Sequence, residues 1–416
     1  MVVVAMPAAG RVPSSGAVSG VTWAPVPDGS AFGPDVLPYG VFSAGGGRAR
    51  RVGVRIGEHV LDLAGLAVAG RLDGFPAAQA AFAAPGLDVF LAAGPGAWAA
   101  TREQLAVLLA DDGARFAVEP HLFPLDGVEL FLPFAVADYV DFYASLEHAT
   151  NVGRLFRPHG EPLLPNWRHL PVGYHGRAGT VVVSGTDVTR PSGQFVAAGE
   201  KAPRFGPSRR LDFELELGFV IGTPSRLGVP VPVEAALEHV FGVVLVNDWS
   251  ARDLQAWEYQ PLGPFLGKSF ATSIGAWVTP FAALQAFRVP APAQAPEPLP
   301  YLREEPWALD LDLSVELSGS VVSRTSARHV YWSPAQMIAH LTANGASLRT
   351  GDLLGSGTIS GPEPSQRGSL LELSWDGAEP VALGGGATRT FLEDGDRVVL
   401  RGDRLGEVAG RILPDV

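Results

Sequence analysis

Residues 211–222 read LDFELELGFVIG, and this stretch decides the fold. Its first seven residues alternate, with leucine or phenylalanine at one set of positions and Asp212, Glu214 and Glu216 between them. Because successive side chains of a β-strand point to opposite faces, the alternation predicts a strand with one apolar and one acidic face. The apolar FVI that follows indicates that the strand runs into a core.

Strand-like segments also lie on both sides of this stretch. They are residues 181–185, 240–250, 309–320, 368–375, 380–385 and 396–402. Residues 333–345 (SPAQMIAHLTANG) instead predict a helix, with Ser333 as N-cap, Pro334 at its first position and Gly345 at C′. Strands and helices do not alternate regularly, so the pattern is typical of a mainly β (α+β) domain and argues against a doubly wound fold.

The residues upstream of this domain differ from it in composition and in hydrophobic pattern. Residues 1–30 are rich in Gly, Ser, Pro and Ala and predict a flexible tail. Alternating segments at 51–57 and 59–63 predict two short strands joined by a turn at Gly57, and residues 98–109 predict a helix. We therefore expect three units along the chain. They are the tail 1–30, a small β-rich domain 31–133 and a second domain 134–416.

Composition and charge narrow the class of protein. Of the 416 residues, 47% are hydrophobic and 18% are charged, which provides ample apolar material for a core. The formal net charge of -12, without a Lys/Arg-rich run, argues against binding to nucleic acid or an anionic membrane. The absence of cysteine excludes disulfides, thiolate ligands and a cysteine nucleophile. We see neither a signal peptide nor a membrane span, so we expect a soluble, cytoplasmic protein.

Glu214 and Glu216 are the first candidates for chemistry. Residues i and i+2 of a strand lie on the same face, about 6 to 7 Å apart, so both carboxylates could bind one hard cation. For an E-x-E pattern alone, a solvated strand face is the commoner explanation. The apolar flanks favour a buried pair, and buried carboxylates need a cation. Asp248 ends the apolar segment 240–248, where a metal ligand and an Asx turn or helix N-cap fit about equally well.

His148 is the candidate base among nine histidines. None of the nine forms an H-x-x-x-H pair, which argues against a histidine-rich zinc site. If residues 141–153 form a helix, Asp141 and His148 lie on one face, because they are seven positions apart. A single histidine is nevertheless more often structural than catalytic.

Two segments combine aromatic and polar residues densely. Residues 164–177 (LPNWRHLPVGYHGR) are too rich in Pro and Gly for a helix or strand, and residues 246–270 are similar. Such fixed loops often contact ligands, although a loop held in place by its own aromatic residues is a fair alternative. Residues 355–363 (GSGTISGPE) lack the P-loop ending and the G-x-G-x-x-G spacing, so we assign no nucleotide to them.

Several long blocks in the same order resemble the fumarylacetoacetate hydrolase family. They are residues 141–153, 164–185, 211–222, 246–270, 351–364 and 368–375. The resemblance implies a small SH3-like N-terminal barrel followed by a β-sandwich-roll catalytic domain, with the active site formed in a homodimer. It also implies hydrolysis of a carbon–carbon bond of 4-fumarylacetoacetate to fumarate and acetoacetate, the last step of tyrosine and phenylalanine catabolism.

The resemblance also implies roles for individual residues. The calcium ligands would be Asp141, Glu214, Glu216 and Asp248. The catalytic histidine and its carboxylate partner would be His148 and Glu372. The groups that stabilise an oxyanion would be Arg252, Gln255 and Lys268. The substrate contacts would be Tyr143, Arg157, Tyr174, Gln255, Tyr259 and Thr358. A second, structural magnesium would use Asp248, Lys268 and Thr272.

These residues suggest a mechanism. Hydrolysis beside a carbonyl expels a carbanion, so the barrier falls when a cation and hydrogen-bond donors hold that charge as an enolate. Glu372 would orient His148, and His148 would take a proton from the attacking water. Arg157 would pair with the substrate carboxylate, because its planar fork suits bidentate contact.

Two other interpretations stay open at this point. Smaller members of the superfamily carry the E-x-E and Asp triad but catalyse decarboxylation, tautomerisation or acylpyruvate hydrolysis. The extra N-terminal domain and the block around His148 argue against them. A non-enzymatic, calcium-stabilised β-rich binding module would need the carboxylates but has no use for His148, Glu372 and Lys268, so the sequence favours an enzyme.

Overall fold

The computed structural model describes residues 21–47, 49–197 and 199–416. The expected flexible tail, residues 1–30, lies outside the described residues up to position 20. Within the described ranges the architecture is mainly β with some helices, as the sequence pattern predicts. None of the helices in these ranges combines enough length with enough apolar character to cross a membrane.

The first part of the chain combines strands with helices. The strands are β1 (Tyr39–Ala44), β2 (Arg51–Ile56), β3 (His59–Asp62), β4 (Leu122–Pro124) and β5 (Val128–Phe131). The helices are α1 (Leu63–Val68), α2 (Ala78–Ala83), α3 (Asp88–Ala92), α4 (Gly94–Ala110) and α5 (Arg115–Val118). The predicted hairpin is present as β2 and β3, and the predicted helix as α4. The hairpin turns at Gly57, whose φ of +54° is left-handed and costs glycine little.

The second part of the chain is dominated by strands. They are β6 (Tyr139–Phe142), β7 (Gly173–His175), β8 (Val181–Val183), β9 (Val188–Thr189), β10 (Ser192–Phe195), β11 (Arg204–Pro207), β12 (Leu211–Asp212), β13 (Leu215–Ile221), β14 (Val240–Asp248), β15 (Ser250–Ala251), β16 (Thr272–Ile274), β17 (Trp277–Pro280), β18 (Arg288–Pro290), β19 (Trp307–Leu309), β20 (Asp312–Leu317), β21 (Ser320–Ser326), β22 (Leu353–Gly355), β23 (Val381–Ala382), β24 (Thr388–Arg389), β25 (Arg397–Gly402) and β26 (Gly406–Leu413). The helices are α6 (Leu146–Phe156), α7 (Arg252–Glu258), α8 (Leu266–Ser269), α9 (Phe281–Leu284), α10 (Pro334–Thr342) and α11 (Leu370–Leu373).

The SH3-like barrel implied by the resemblance is not confirmed. Strands β4, β3, β2 and β1 follow one another in a single sheet, and β1 continues it by pairing with β17. In that pairing Tyr39 lies opposite Val278 and Gly40 opposite Trp277. The remaining length of the same β1 edge pairs with β5. The N-terminal strands therefore join the sheet of the second part, and no closed barrel is seen among the described strands.

Five neighbouring strands of this main sheet position the candidate site. Their order is β14-β13-β22-β6-β7. Strand β13 runs antiparallel to both β14 and β22, whereas β22 runs parallel to β6. In this register Gly355 lies opposite Asp141, and Asp248 at the end of β14 lies opposite Thr272. The sheet therefore brings polar residues from distant parts of the chain to one place.

The central strands are buried on both faces. On β14, Val243 and Leu245 belong to one hydrophobic core, whereas Val244 and Val246 belong to another. The side chains of a strand alternate between its faces, so each core covers one side of the sheet. Glu216 on the adjacent strand β13 is fully buried as a result. The structure thus confirms that the alternating stretch is buried and not solvated, although it forms two strands, β12 and β13, and not one.

Two local predictions differ from the structure. The strand predicted for residues 368–375 is wrong, because helix α11 forms there. The Ser369 hydroxyl accepts a hydrogen bond from the Glu372 backbone N–H at 3.3 Å and caps this helix. The predicted helix α10 is present with Ser333 as N-cap and a capping box, but its C-cap is Ala343. Gly345, with φ +90°, was predicted at C′ and therefore lies one residue beyond the observed C′ position.

Candidate metal and active site

Four carboxylates converge at the C-terminal end of β14. Asp141 comes from β6, Glu216 from β13, Asp248 from β14, and Glu214 from the link between β12 and β13. One oxygen of each lies within 4.8 Å of the others, and all four residues are buried. The expected convergence of these four side chains is thus present. We call them the carboxylate cluster.

The helical relationship expected between Asp141 and His148 is wrong. Asp141 lies on strand β6, and helix α6 begins only at Leu146. His148 is therefore in the first turn of α6 and Asp141 is on the sheet below it. The two approach the site from different elements, so their seven-residue spacing carries no structural meaning.

Two cations partly neutralise the carboxylate cluster. The Lys268 ammonium donates to Glu214 and, at 2.7 Å, to Asp248 Oδ2. Arg252 Nη2 donates to Glu214 Oε1 at 2.7 Å. No ion pair to Asp141 or Glu216 is found in the part of the chain that the structure describes. Asp141 Oδ1 and Glu216 Oε1 are buried there without any hydrogen-bond partner.

The pKa values of the cluster reflect this uneven neutralisation. Burial raises the pKa of Asp141 well above its usual range, and the negative charge of Asp248 adds to the rise. Burial and the charge of Asp141 do the same to the pKa of Glu216. Burial alone would also raise the pKa of Glu214, but Lys268 and Arg252 outweigh it and hold that pKa below its usual value.

A divalent cation fits this arrangement. An isolated buried carboxylate is costly unless it is neutralised, and the two unpartnered oxygens on Asp141 and Glu216 mark where positive charge is missing. All the candidate ligands are oxygens, which suits hard cations such as Ca²⁺ and Mg²⁺ and not soft metals. Among the described residues, this is also the one group of acidic or histidine side chains close enough to hold a metal ion.

Cation binding is expected to release protons and to strengthen as the pH rises. Because the pKa values of Asp141 and Glu216 are raised, the cation-free cluster retains protons at a pH where ordinary carboxyl groups are ionised. The ligands must be ionised to bind a cation, so those protons leave on binding. Calorimetric titration with Ca²⁺ in two buffers of different ionisation enthalpy measures the release. Buffer-independent heats together with a pH-independent affinity would contradict this expectation.

Glycine at position 355 allows the cluster to assemble. A Cβ atom there would lie 2.8 Å from Asp141 Oδ1 and 3.0 Å from Glu216 Oε2. Two residues later, the Gly357 N–H donates to Glu216 Oε2 at 3.2 Å. The Gly-rich segment 355–363, to which we assigned no nucleotide from sequence, thus shapes the carboxylate cluster. Its glycine content was the available signal, but only the sheet register shows which carboxylates it faces.

The substitution Gly355→Ala is expected to weaken Ca²⁺ binding about tenfold, which corresponds to about 1.4 kcal/mol. The added methyl group overpacks the space between Asp141 and Glu216 and forces their oxygens apart. Gly275→Ala is the matched control, because no atom lies closer than 3.8 Å to the Cβ position at that glycine. Calorimetric titration of both variants tests this, and equal affinities would show that the cluster tolerates the methyl group.

His148 and Glu372 form a buried pair beside the cluster. His148 Nδ1 lies 2.6 Å from Glu372 Oε2, although the two residues are 224 positions apart in the chain. The pair lies close enough to the carboxylate cluster for a positive charge on His148 to help lower the pKa of Glu214. Nδ1 is engaged by Glu372, which leaves Nε2 as the ring nitrogen available to a ligand.

Three further side chains hold Glu372 in place. Asn151 Nδ2 donates to Glu372 Oε1 at 3.0 Å, while the hydroxyls of Ser360 and Ser369 donate to Oε2 at 2.9 and 2.8 Å. Burial would raise the pKa of Glu372, but His148 and these donors outweigh it and keep the pKa below its usual value. Our sequence analysis missed all three donors. For Asn151, the signal was its position one helical turn after His148.

The residues expected to contact substrate fall into two groups. The Tyr174 hydroxyl donates to Asp248 Oδ2 at 3.0 Å and so contacts the cluster directly. Gln255 Oε1 accepts from Arg252 Nη1 at 3.1 Å and reaches the cluster through that arginine. The Tyr143 ring packs edge-on against the His148 ring at 5.2 Å.

The second group has no such contact with the cluster. Thr358 Oγ1 and Arg157 Nε are buried without partners. Arg157 Nη2 donates to the Pro162 carbonyl at 2.5 Å. Tyr259 is 39% exposed, its hydroxyl accepts from Gln260, and no contact with the cluster is seen among the described residues. The structure therefore does not bring Tyr259 into the site.

The residues expected at a second metal site lie next to the cluster. Thr272 Oγ1 donates to Asp248 Oδ1 at 3.1 Å, and the Lys268 ammonium contacts Oδ2 of the same carboxylate. Both Asp248 oxygens thus accept from protein groups. Lys268 and Thr272 therefore both contact the Asp248 carboxylate.

Comparisons with known proteins agree with this description. A family model described as "Fumarylacetoacetase N-terminal" matches residues 35–133, and one described as "Fumarylacetoacetate (FAA) hydrolase C-terminal" matches residues 138–413. The chain is 46% identical over 414 residues to fumarylacetoacetase of Homo sapiens, covering 95% of this chain and 99% of that protein. It is also 46% identical over 399 residues to fumarylacetoacetase of Arabidopsis thaliana, covering 91% and 94%.

A solved structure shares the fold at much lower sequence identity. Fumarylacetoacetate hydrolase from psychrophilic Exiguobacterium antarcticum superimposes with a TM-score of 0.55 at 18% identity. The match covers 91% of this chain and 99% of that one. At this identity the likeness concerns the fold alone.

Proposed function

Because the chain belongs to the fumarylacetoacetate hydrolase family, we propose that it hydrolyses 4-fumarylacetoacetate to fumarate and acetoacetate with the help of a divalent cation. The observation that carries the proposal is the buried His148–Glu372 pair beside the carboxylate cluster. The two parts supply what this reaction needs, namely a base for water and a place for a cation that stabilises negative charge.

In this proposal His148 activates the attacking water. Glu372 is ionised, since its pKa lies below the usual value, and accepts a hydrogen bond from the Nδ1–H of His148. That tautomer leaves Nε2 free to take a proton from water. The same nitrogen can then return the proton to the leaving carbon. Glu372 fixes the orientation of the ring throughout and stabilises its charged form.

The divalent cation would be held by Asp141, Glu214, Glu216 and Asp248. When bound, it would supply Lewis-acid stabilisation to the negative charge that develops on the diketone oxygens during cleavage. We assign calcium to this cluster and a structural magnesium to the neighbouring group of Asp248, Lys268 and Thr272. The all-oxygen ligand set of the cluster supports the calcium site. The hydrogen bond from Thr272 to Asp248 supports the second site, where Lys268 would bind magnesium through its backbone oxygen.

Arg252, Gln255 and Lys268 would stabilise the tetrahedral oxyanion. Burial would lower the pKa of Lys268, but Asp248 and Glu214 outweigh it and raise the pKa above its usual value. The ammonium therefore stays charged and gives up its proton less readily than an ordinary lysine, so we assign the proton for the leaving carbon to His148. Arg252 and Gln255 are already hydrogen-bonded to one another, which fixes their orientation in advance.

Arg157, Tyr143, Tyr174, Thr358 and Tyr259 would bind the substrate. The unpartnered buried atoms of Arg157 and Thr358 support this role, since buried polar atoms otherwise find partners. For Tyr259, a movement of its exposed loop would be needed to reach the site. Leu262 and Phe265 on the same loop are 96% and 69% exposed, as expected for a segment that meets another surface.

The substitution Arg157→Lys is expected to raise KM by about 10-fold or more with a smaller change in kcat, because it loses a charge-assisted hydrogen bond worth about 1.5–3 kcal/mol. A lysine keeps the charge but not the planar fork that suits a carboxylate. Arg168→Lys, on an exposed part of the same region, is the control. Steady-state kinetics measure both, and an unchanged KM in Arg157→Lys would remove this residue from the substrate site.

We also propose the wider context that the family resemblance implies. The reaction would be the last step of tyrosine and phenylalanine catabolism, carried out by a cytoplasmic homodimer. The units would be an SH3-like N-terminal domain at 31–133 and a catalytic domain at 134–416, which is supported by the two separate family matches. The exposed apolar loop around Leu262 supports an association between subunits.

A substrate panel tests the proposed function. The purified protein with Ca²⁺ is given fumarylacetoacetate, an acylpyruvate and oxaloacetate in parallel. We expect the ultraviolet absorbance of fumarylacetoacetate to disappear, with equal amounts of fumarate and acetoacetate formed. Preferred turnover of the acylpyruvate or of oxaloacetate would overturn the substrate assignment, and no turnover of any compound would overturn the proposed enzyme class.

A further inference from the structure

Asp212 is a fully buried carboxylate outside the carboxylate cluster, and it is saturated with hydrogen bonds. Its Oδ2 accepts from Arg252 Nε at 2.9 Å and lies 2.8 Å from Arg252 Nη2. The same oxygen accepts from the Leu371 N–H at 3.1 Å, while Oδ1 accepts from the Leu370 N–H at 2.7 Å. One side chain therefore joins two elements that are far apart in sequence.

Each of these elements leads to one half of the site. On one side, Arg252 continues to Glu214 Oε1 at 2.7 Å and to Gln255 Oε1 at 3.1 Å. On the other side, Leu370 and Leu371 begin helix α11, whose next residue is Glu372, the partner of His148. Asp212 thus stands between the groups that stabilise charge and the groups that move the proton.

Helix α11 depends on such an anchor. It has four residues, and a helix this short is not stable by itself. Its start is held by the Ser369 cap, by the pairing of Ser369 with Glu214, and by the two backbone hydrogen bonds to Asp212. Glu214 and Asp212 both contact Arg252, but of these two only Asp212 also accepts from backbone N–H groups of α11 itself, so its side chain sets the distance between Arg252 and Glu372.

We propose that Asp212 is a positioning residue that locks Arg252 to the helix carrying Glu372, so that the oxyanion donors and the His148–Glu372 pair keep a fixed separation. This proposal rests on the proposed function. In the sequence, Asp212 belongs to the same acidic alternation as Glu214 and Glu216, and that position was the available signal for it.

The substitution Asp212→Asn tests the proposal, with Asp253→Asn as the matched control. The amide keeps the shape but replaces one acceptor oxygen by a donor, which cannot accept from Arg252 or from a backbone N–H. Asp253 is one residue from Arg252, but its carboxylate contacts Ser208 and the Arg209 N–H instead. We expect Asp212→Asn to lower kcat about 100-fold with little change in KM, the loss typical of a small misplacement of catalytic groups.

A second readout needs no substrate. The proton on His148 Nδ1 should give a low-field NMR signal in the wild-type protein, because it is buried and bonded to Glu372. We expect this signal to shift or to exchange away in Asp212→Asn and to be unchanged in Asp253→Asn. If the wild-type protein fails to cleave fumarylacetoacetate, the proposed function is wrong, whereas this signal still tests the positioning role.

Two results would overturn the proposal. One is a kcat of Asp212→Asn within about threefold of the control, which is less than one misplaced hydrogen bond should cost. The other is an unchanged His148 signal. If Asp212→Asn does not fold, Asp212→Glu replaces it, since the longer side chain keeps the charge but displaces the contact with α11. The same loss of kcat and the same change of signal are then expected, and a variant that behaves as the wild type would refute the proposal.

Discussion

Replacing His148 by alanine lowers kcat by at least about 1,000-fold in the proposed mechanism, while Ca²⁺ binding stays within about twofold of the wild type. Within the His148–Glu372 pair, the imidazole Nε2 is the atom that can take a proton from water, because Nδ1 is bonded to Glu372. It is not among the candidate ligands of the cation, whose oxygens come from the carboxylate cluster. Loss of fumarylacetoacetate absorbance measures the rate, and calorimetric titration measures the binding.

The exposed residue His159 provides the control for this variant, because His159→Ala removes an imidazole from the same part of the chain. We expect His159→Ala to retain full activity. A His148→Ala variant with a rate near that of the wild type would refute the base assignment. Loss of Ca²⁺ binding together with activity would instead show that His148 supports the cluster and does not act on water.

The double substitution Asp141→Asn with Glu216→Gln is expected to weaken Ca²⁺ binding at least about 100-fold, since the charge of the ligands sets the affinity of such sites. Neither carboxylate has a cationic partner among the described residues, so the bound metal cation would supply the positive charge that they lack. Activity should fall together with affinity. Calorimetric titration and the absorbance assay measure the two effects.

The same double variant should be more stable than the wild type when no cation is present. The folded-state pKa values of Asp141 and Glu216 are raised, so folding favours their neutral forms, and ionisation costs stability as the pH rises towards neutrality. The amides remove that cost, and thermal melts in a chelator should show a higher Tm. Asp310→Asn with Glu316→Gln, on and next to strand β20 and away from the cluster, is the control. A lower Tm in the cluster variant would mean that those carboxylates stabilise the fold without a cation.

Local sequence patterns predicted the elements that carry the cluster. The alternation around Glu214 and Glu216 gave a buried strand, and the apolar segment ending in Asp248 gave β14 with its carboxylate at the strand end. These signals succeed because burial on both faces of a sheet constrains every residue of the strand. From the sequence alone, Asp248 fitted a metal ligand and an Asx turn or helix N-cap equally well. Its contacts with Lys268 and Tyr174 place its carboxylate in the cluster.

The predictions that failed concern features that local patterns do not determine. Residues 368–375 have a strand-like composition, but the Ser369 cap and Asp212 turn their middle into a helix. The SH3-like barrel came from the family resemblance and not from a local pattern, and it is not confirmed, because β1 continues into the sheet of the second part. The contact between His148 and Glu372 joins residues 224 positions apart, so no spacing rule could give it, and only the family resemblance pointed to it.

The most direct measurement of the central claim is an anomalous difference map from crystals grown with Mn²⁺ in place of the native cation. A strong peak is predicted between Asp141, Glu214, Glu216 and Asp248, within bonding distance of an oxygen from each. His148 should face that peak across a space wide enough for a substrate. A map with no peak among these four carboxylates, or with its main peak elsewhere in the molecule, would contradict the account.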